Sequence, residues 1–112
     1  MDKLTEYRRI IREILAPISQ RRYAGLMIAN EAVFDETNDW YLIMSVGWEG
    51  HVRRIHHCLV HLDIIDGKVW IQRDGTEDGI AYDLEDAGIL KSDIVLAFHS
   101  LEVRPHTGYA VA

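Results

Sequence analysis

The sequence predicts an α+β domain: an N-terminal helix, an antiparallel four-stranded meander sheet, a second helix and a C-terminal tail whose last apolar run suits a short edge strand. Three observations carry that expectation. Leu4, Tyr7, Ile11, Ile14 and Ile18 recur at helical spacing near the start of the chain. Asp66-Gly67 lies between two alternating apolar runs, the strongest short-range signal for a β-hairpin. Dense turn-forming clusters separate the remaining apolar runs into strand-length pieces. With 112 residues and 48% hydrophobic content, the chain suits one domain, residues 1–112, with a real core.

The first helix is expected over residues 3–16. Asp2 can cap it, Ile10 and Leu15 widen its stripe, and Lys3, Arg8, Arg9, Arg12 and Glu13 fall on the wet side. Pro17 should end or kink it near Ala16. Arg21 to Gly25 reads as a loop, Leu26 to Phe34 as a strand, and Asp35 to Asp39 as a turn. Trp40 to Trp48 is a clearer strand. Trp40, Leu42, Met44, Val46 and Trp48 project to one side and Tyr41 and Ile43 to the other, so it should be central and covered on much of both faces.

After Glu49-Gly50 a strand should run from His51 to Ile65. A two-residue loop would pair Val46 with Arg53 and misplace the apolar face, so a longer loop or a bulge is expected between Trp48 and Ile55. The Asp66-Gly67 turn then sets Ile65 opposite Lys68, Ile64 opposite Val69 and Leu62 opposite Ile71. Cys58, Val60, Leu62, Ile64, Val69 and Ile71 share an apolar face; His57, Leu59, His61, Asp63, Trp70 and Gln72 share a mixed one. Thr76 can cap a second helix that buries Ile80, Leu84 and Ala87 and closes at Gly88. Ser92-Asp93 can cap a short turn through Ile94, Val95 and Leu96, and Tyr109-Ala110-Val111 suits the edge strand.

Twelve basic against 18 acidic residues leave a formal charge of -6, without the basic footprint of a free nucleic-acid binder. No apolar run spans a membrane and no apolar leader opens the chain, so no membrane partner is expected. The single cysteine, Cys58, reads as a reduced core thiol of a cytoplasmic protein.

Chemical motifs fail on context. Asp74, Thr76, Asp78, Gly79 and Glu85 match the spacing of a calcium loop, but a hairpin strand precedes them where that loop needs a helix. His57 and His61 are four apart on a strand, about 13 Å between backbones, too far for one zinc ion; His61 should instead pair across the ladder with Gln72. Asp66-Gly-Lys68 near Asp63 resembles an acidic-x-lysine nuclease element, yet its carboxylate sits in the turn itself. No catalytic set, metal site or cofactor cradle is recognisable. The candidates for a partner-binding surface are His61, Trp70 and Gln72 on the hairpin and His99, Arg104 and Tyr109 in the tail. Trp70 has a second reading, packing beneath a helix. A rival function, direct DNA binding, would use Arg53, Arg54 and the N-terminal arginines.

The run DGKVWIQRDGTEDGIAYDLEDAGILKSDIVLAFHSLEVRPHTGYAVA, from Asp66 to Ala112, resembles the XisI family of fdxN-element excision controlling factors. Ser45-Val-Gly-Trp48, His61-Leu-Asp-Ile64 and the N-terminal helix are similar to that family too, and Leu90 departs from it where proline is usual. The resemblance implies a cyanobacterial, non-enzymatic accessory protein without cofactor or catalytic residues. It implies action beside a nuclease-like XisH-type companion while a separate recombinase excises the DNA element. It also admits a nuclease regulator or antitoxin-like role outside any excision system. The charge balance, for its part, leaves DNA contact only within a complex, and a homo-oligomer is a further expectation.

Overall fold

A computed structural model describes residues 2–23 and 27–112. Its elements are α1 (Lys3–Ser19), β1 (Met27–Asp35), β2 (Trp40–Glu49), β3 (Arg53–Ile65), β4 (Lys68–Asp74), α2 (Ile80–Asp86) and β5 (Ile94–Leu96), with one-turn 3-10 segments at Lys91–Asp93 and Arg104–His106. The expected loop residues 24 and 25 and the strand start at Leu26 lie outside the described residues.

α1 begins where Asp2 places it: the carboxylate accepts the Thr5 backbone N–H at 2.8 Å and the Thr5 hydroxyl at 2.9 Å. Tyr7, Ile10, Ile11, Leu15 and Ile18 are buried. The helix does not stop at Ala16 but continues through Pro17 to Ser19. A proline in the last turn forfeits one helical hydrogen bond. Tertiary anchors offset that loss: Ile18 is buried, its carbonyl accepts Asn30 Nδ2 at 3.0 Å, and the Ser19 hydroxyl donates to the Ala16 carbonyl at 2.6 Å.

The first four strands form the expected antiparallel meander, but the sheet has five strands in the order β1-β2-β3-β4-β5, and β5 runs parallel to β4. The run expected as a turn through Ile94–Leu96 is that fifth strand. All three of its residues are buried, so it lacks the alternation that marks a half-exposed strand. The tail adds one parallel bridge, Val95 to Ala110, with the Ala110 N–H donating to the Ile94 carbonyl at 2.9 Å.

Asp66 (φ 51°) and Gly67 (φ 78°) make the two-residue turn, and Ile65, Ile64 and Leu62 meet Lys68, Val69 and Ile71 as read from the sequence. Glu49 pairs with Arg53 across a three-residue loop, longer than the minimum, as expected. A bulge lies further along. Ile43 pairs with Val60 but Met44 with Cys58, which leaves Leu59 as the extra residue. It reverses the facing upstream, so Cys58 shares the face of Met44 rather than that of Val60, and His57 and His61 end on opposite faces. A second bulge at Gln72 sets His61 against Arg73, not Gln72.

α2 starts at Ile80, four residues beyond the expected Thr76 cap. The cap comes from Asp74, whose Oδ2 accepts the Ile80 N–H at 2.7 Å while Oδ1 accepts the Thr76 N–H at 2.9 Å. Ala81 is buried in place of Ala87, which is exposed. Gly88 closes the helix at φ 117°, its N–H donating to the Glu85 carbonyl at 3.0 Å.

Both helices pack on the sheet face that carries Tyr41, Ile43, Val60, Leu62, Val69, Ile71 and Ile94. Polar clamps fix α1 there. Asp93, largely buried, accepts the Tyr7 hydroxyl at 2.7 Å and Lys3 Nζ at 3.1 Å. Arg8 grips Asp39 with two bonds of 2.7 and 3.0 Å, and the Tyr41 hydroxyl donates to the same carboxylate at 3.0 Å. Burial alone would raise the Asp93 pKa, but the bonds from Tyr7 and Lys3 outweigh it and hold it below the ordinary aspartate value. A folded-state value below the unfolded one stabilises the fold above the ordinary range and is lost as pH falls through the folded value. Tyr7→Phe should therefore lower stability by about 1.5–3 kcal/mol near neutral pH. The gap from the unmutated protein should narrow as acid titrates Asp93, checked by urea unfolding from neutral to acidic pH.

Candidate functional site

The face opposite the helices carries the residues with the most recognition chemistry. Its rows follow from strand pairing. Met27, Trp48 and Arg54 form one row, Ala29, Val46 and His56 the next, then Glu31, Met44 and Cys58. Val33, Leu42, His61 and Arg73 follow, and Asp35, Trp40, Asp63, Trp70 and Val95 make the last long row. The sequence led us to expect cover on both faces of β2. Instead Trp40 is 52% and Trp48 43% exposed, and Leu42, Met44 and Val46 are half-buried. Leaving apolar and aromatic surface of this kind in water costs about 25 cal/mol per Å², which makes this face the candidate contact surface.

Hydrogen bonds hold the polar members in place. Asp63 lies at the centre: His61 Nε2 is 2.7 Å from its Oδ1, and Gln72 Nε2 donates to its Oδ2 at 3.1 Å. Trp40, Leu42, His61 and Asp63 line a shallow hollow of about 310 Å³. Trp70 is half-buried, covered by the tail and not by a helix: the Arg104 guanidinium lies 5.6 Å from its ring centre. Arg104 also donates to the carbonyls of His99 (3.0 Å), Ala97 (3.1 Å) and Val111 (3.3 Å). His99 is half-buried, its ring 4.6 Å from that of Phe98.

The structure thus gathers His61, Trp70, Gln72 and Arg104 around Asp63 and the tail, with His99 beside them. Tyr109 is elsewhere. Its hydroxyl donates to Glu85 of α2 at 2.6 Å and Lys91 lies 4.9 Å from its ring centre, which puts it on the helix side, where burial and then Glu85 raise its pKa. Trp40 and Trp48 were not among the sequence candidates, since the same alternation fits a strand covered on both faces.

The motifs weighed from sequence resolve into structural roles. Both Asp74 oxygens accept protein donors, Asp66 occupies the turn at positive φ, and Lys68 Nζ donates to the Ala112 carbonyl at 2.6 Å. Among the described residues, no group of three or more His, Cys, Asp or Glu side chains converges as metal ligands. The Cys58 thiol donates to the Val60 carbonyl at 3.2 Å, and burial pushes its pKa up, away from the nucleophilic thiolate. On the helix side, a cleft of about 750 Å³ is lined by Ile18, Tyr23, Ser45, His57, Leu59 and Asp78, among others. The arginines a DNA-binding reading would use are mostly neutralised: Arg8 by Asp39, Arg9 by Glu6 and Glu13, Arg12 by Glu36, and Arg53 by Glu49. Among the described residues, no helix is long and apolar enough to cross a membrane.

The family model described as XisI protein matches residues 1–111. The chain is similar to a solved XisI-like protein from Anabaena variabilis, at 31% identity and a TM-score of 0.88 over 97% of this chain and 99% of that one. It is also similar to the fdxN element excision controlling factor XisI from Anabaena variabilis, at 36% identity and a TM-score of 0.83 over 99% of this chain and all of that one. No match was found among curated proteins.

Arg104 joins the tail to the sheet through three carbonyls and the Trp70 ring. Arg104→Ala should speed hydrogen exchange at the Ala110 amide about 10-fold or more, as loss of charged hydrogen bonds worth about 1.5–3 kcal/mol frees the tail. Amides of β2 and β3 should keep their protection; uniform deprotection would show that Arg104 supports the whole fold instead.

Proposed function

Since the chain belongs to the XisI family, we propose that it is a non-enzymatic accessory factor that controls excision of a DNA element by binding a nuclease-like XisH-type companion. A separate site-specific recombinase performs the strand chemistry. The similarity to a protein described as an fdxN element excision controlling factor supports the excision role. The Trp70–Arg104 stack at the corner of the sheet face turned away from both helices is the observation that carries the contact role.

The contact point is the corner where β3, β4 and the tail meet. Trp70 and Arg104 are the residue types most often found as interface anchors, and here they are already stacked on each other. His61 and Gln72 are fixed by Asp63, so little side-chain entropy remains to be lost on binding. DNA is reached through the complex: a chain of charge -6 whose α1 arginines are paired with carboxylates lacks the cation excess that drives phosphate binding.

Co-expression with a tagged XisH-type companion should yield a complex that survives purification, and failure of the two to associate sinks the reading. Trp70→Ala, in a chain shown by circular dichroism to remain folded, should weaken that complex by about 30-fold, the scale of an interface anchor. The isolated protein should show no salt-dependent retention of duplex DNA in a fluorescence anisotropy titration at low ionic strength. Saturable binding that falls with added salt would favour the direct DNA-binding class instead.

A further inference from the structure

The exposed stripe of β2 has nearly the same character read in either direction. Trp40, Leu42, Met44, Val46 and Trp48 place a tryptophan at each end, an aliphatic residue inside each, and a methionine at the centre. A surface that matches itself on reversal suits an isologous contact, in which the same patch serves both partners. The stripe is about 26 Å long at the usual strand rise.

The charges flanking it follow the same reversal. Trp40 is paired on its two sides with Asp35 and Asp63, and Trp48 with Met27 and Arg54. One end of the stripe is therefore acidic and the other basic. Arg54 has no carboxylate partner among the described residues: its guanidinium stacks on Trp48 at 5.3 Å and donates to the Gly47 carbonyl at 3.2 Å. The three arginines of α1 (Arg8, Arg9 and Arg12) do have such partners.

We propose that this face binds a second copy of the chain, stacked face to face about a two-fold axis that passes through Met44 across β2. The axis sets Trp40 against Trp48 of the second copy, Leu42 against its Val46, and the two Met44 side chains against each other. Because strand order is kept, Arg54 falls over Asp63 of the second copy, and the reciprocal contact forms at the other end. The opposite overlay, Trp40 upon Trp40, would exchange the flanking strands, bring Asp35 against Asp63 of the second copy at both sides, and is disfavoured by like charge. Sheets stacked face to face lie about 10 Å apart and cross at about 30°. Glu31 and Cys58 share the Met44 row and fall near their own copies, so one like-charge contact at the edge strand β1 stands against two Arg54–Asp63 contacts. The inference does not depend on the companion reading. It uses the part of the face over β1 to β3 and leaves the Trp70–Arg104 corner free.

Size-exclusion chromatography with light scattering on the full chain, at tens of micromolar, tests it directly, and twice the chain mass is expected. Two substitutions of one exposed residue test the orientation. Trp48→Glu sets a carboxylate against the acidic end of the second copy, whereas Trp48→Lys sets an ammonium there, and both remove the same ring. The Lys variant should dimerise at least about tenfold more tightly than the Glu variant. If the Glu variant fails to fold by circular dichroism, Arg54→Glu against Arg54→Lys applies the same test of sign at an exposed side chain. A monomeric natural chain overturns the proposal, as does equal weakening by both charges or a dimer indifferent to either pair.

Discussion

The docking of α1 onto one face of the sheet is the constraint on which the rest of the structure depends. Its apolar stripe supplies Ile10, Ile11 and Leu15, essentially without exposure, and polar contacts fix it at three levels. Near its start Tyr7 and Lys3 hold Asp93, at the entrance to β5. The next residue, Arg8, holds Asp39, in the turn between β1 and β2. At its end the Ile18 carbonyl accepts Asn30 Nδ2, while Asn30 Oδ1 accepts the Ser45 hydroxyl at 2.7 Å, so β1 and β2 are tied in as well. Each contact joins segments far apart in sequence, and breaking any one leaves a polar group in or near the core without its partner. α2 packs on the same side. The two helices therefore complete one layer, and the apolar residues on the far face keep part of their surface in water.

Which residues reach that far face is decided by the bulge at Leu59. An unbroken β3 would place Cys58 with Val60 in the core and send His57 outward with His61. The extra residue exchanges those positions, bringing His56 and Cys58 to the open face and leaving Leu59 packed against the core. Gly75 fixes the bulge: its N–H donates to the Leu59 carbonyl at 2.8 Å, and a Cβ there would lie 3.0 Å from that oxygen and 2.9 Å from Leu59 Cδ1. Glycine lets the chain approach this closely without displacing Leu59. A residue just past the end of β4 thus braces a bulge sixteen positions earlier.

That coupling shows what could be read in the sequence and what could not. The N-cap and stripe of α1, the Asp66-Gly67 turn with its register, and the Gly88 stop rest on local chemistry within a few residues, and each is observed. The Leu59 bulge depends on Gly75, the passage of α1 through Pro17 on Asn30, and the late start of α2 on Asp74, each of them a non-local partner. β5 was hidden because a fully buried strand of three residues has no period to detect. At the site, His61, Trp70 and Gln72 were legible as one face of a hairpin, and Arg104 joins them through the tail. Trp40 and Trp48 were legible as a stripe but not as exposed, since alternation tells which residues share a face and not whether a second layer covers it.

The polar groups of the open face are held in place by partners within the chain. Catalytic groups are kept reactive by shifted pKa values and by space for a reacting atom beside them. Here the candidates are occupied instead: Asp63 is bonded by His61 and Gln72, Arg104 by three carbonyls, and the Cys58 thiol by the Val60 carbonyl with its pKa moved away from the thiolate. Such bonds lower reactivity, but they also hold side chains in one geometry before any partner arrives, which reduces the entropy lost on association. The apolar stripe supplies area and the fixed polar groups supply orientation. Asp63 belongs to both parts, flanking Trp40 on one side and Trp70 on the other. A single carboxylate therefore joins the stripe to the tail corner, and a partner seated on either part meets a surface whose polar frame is already set by the other.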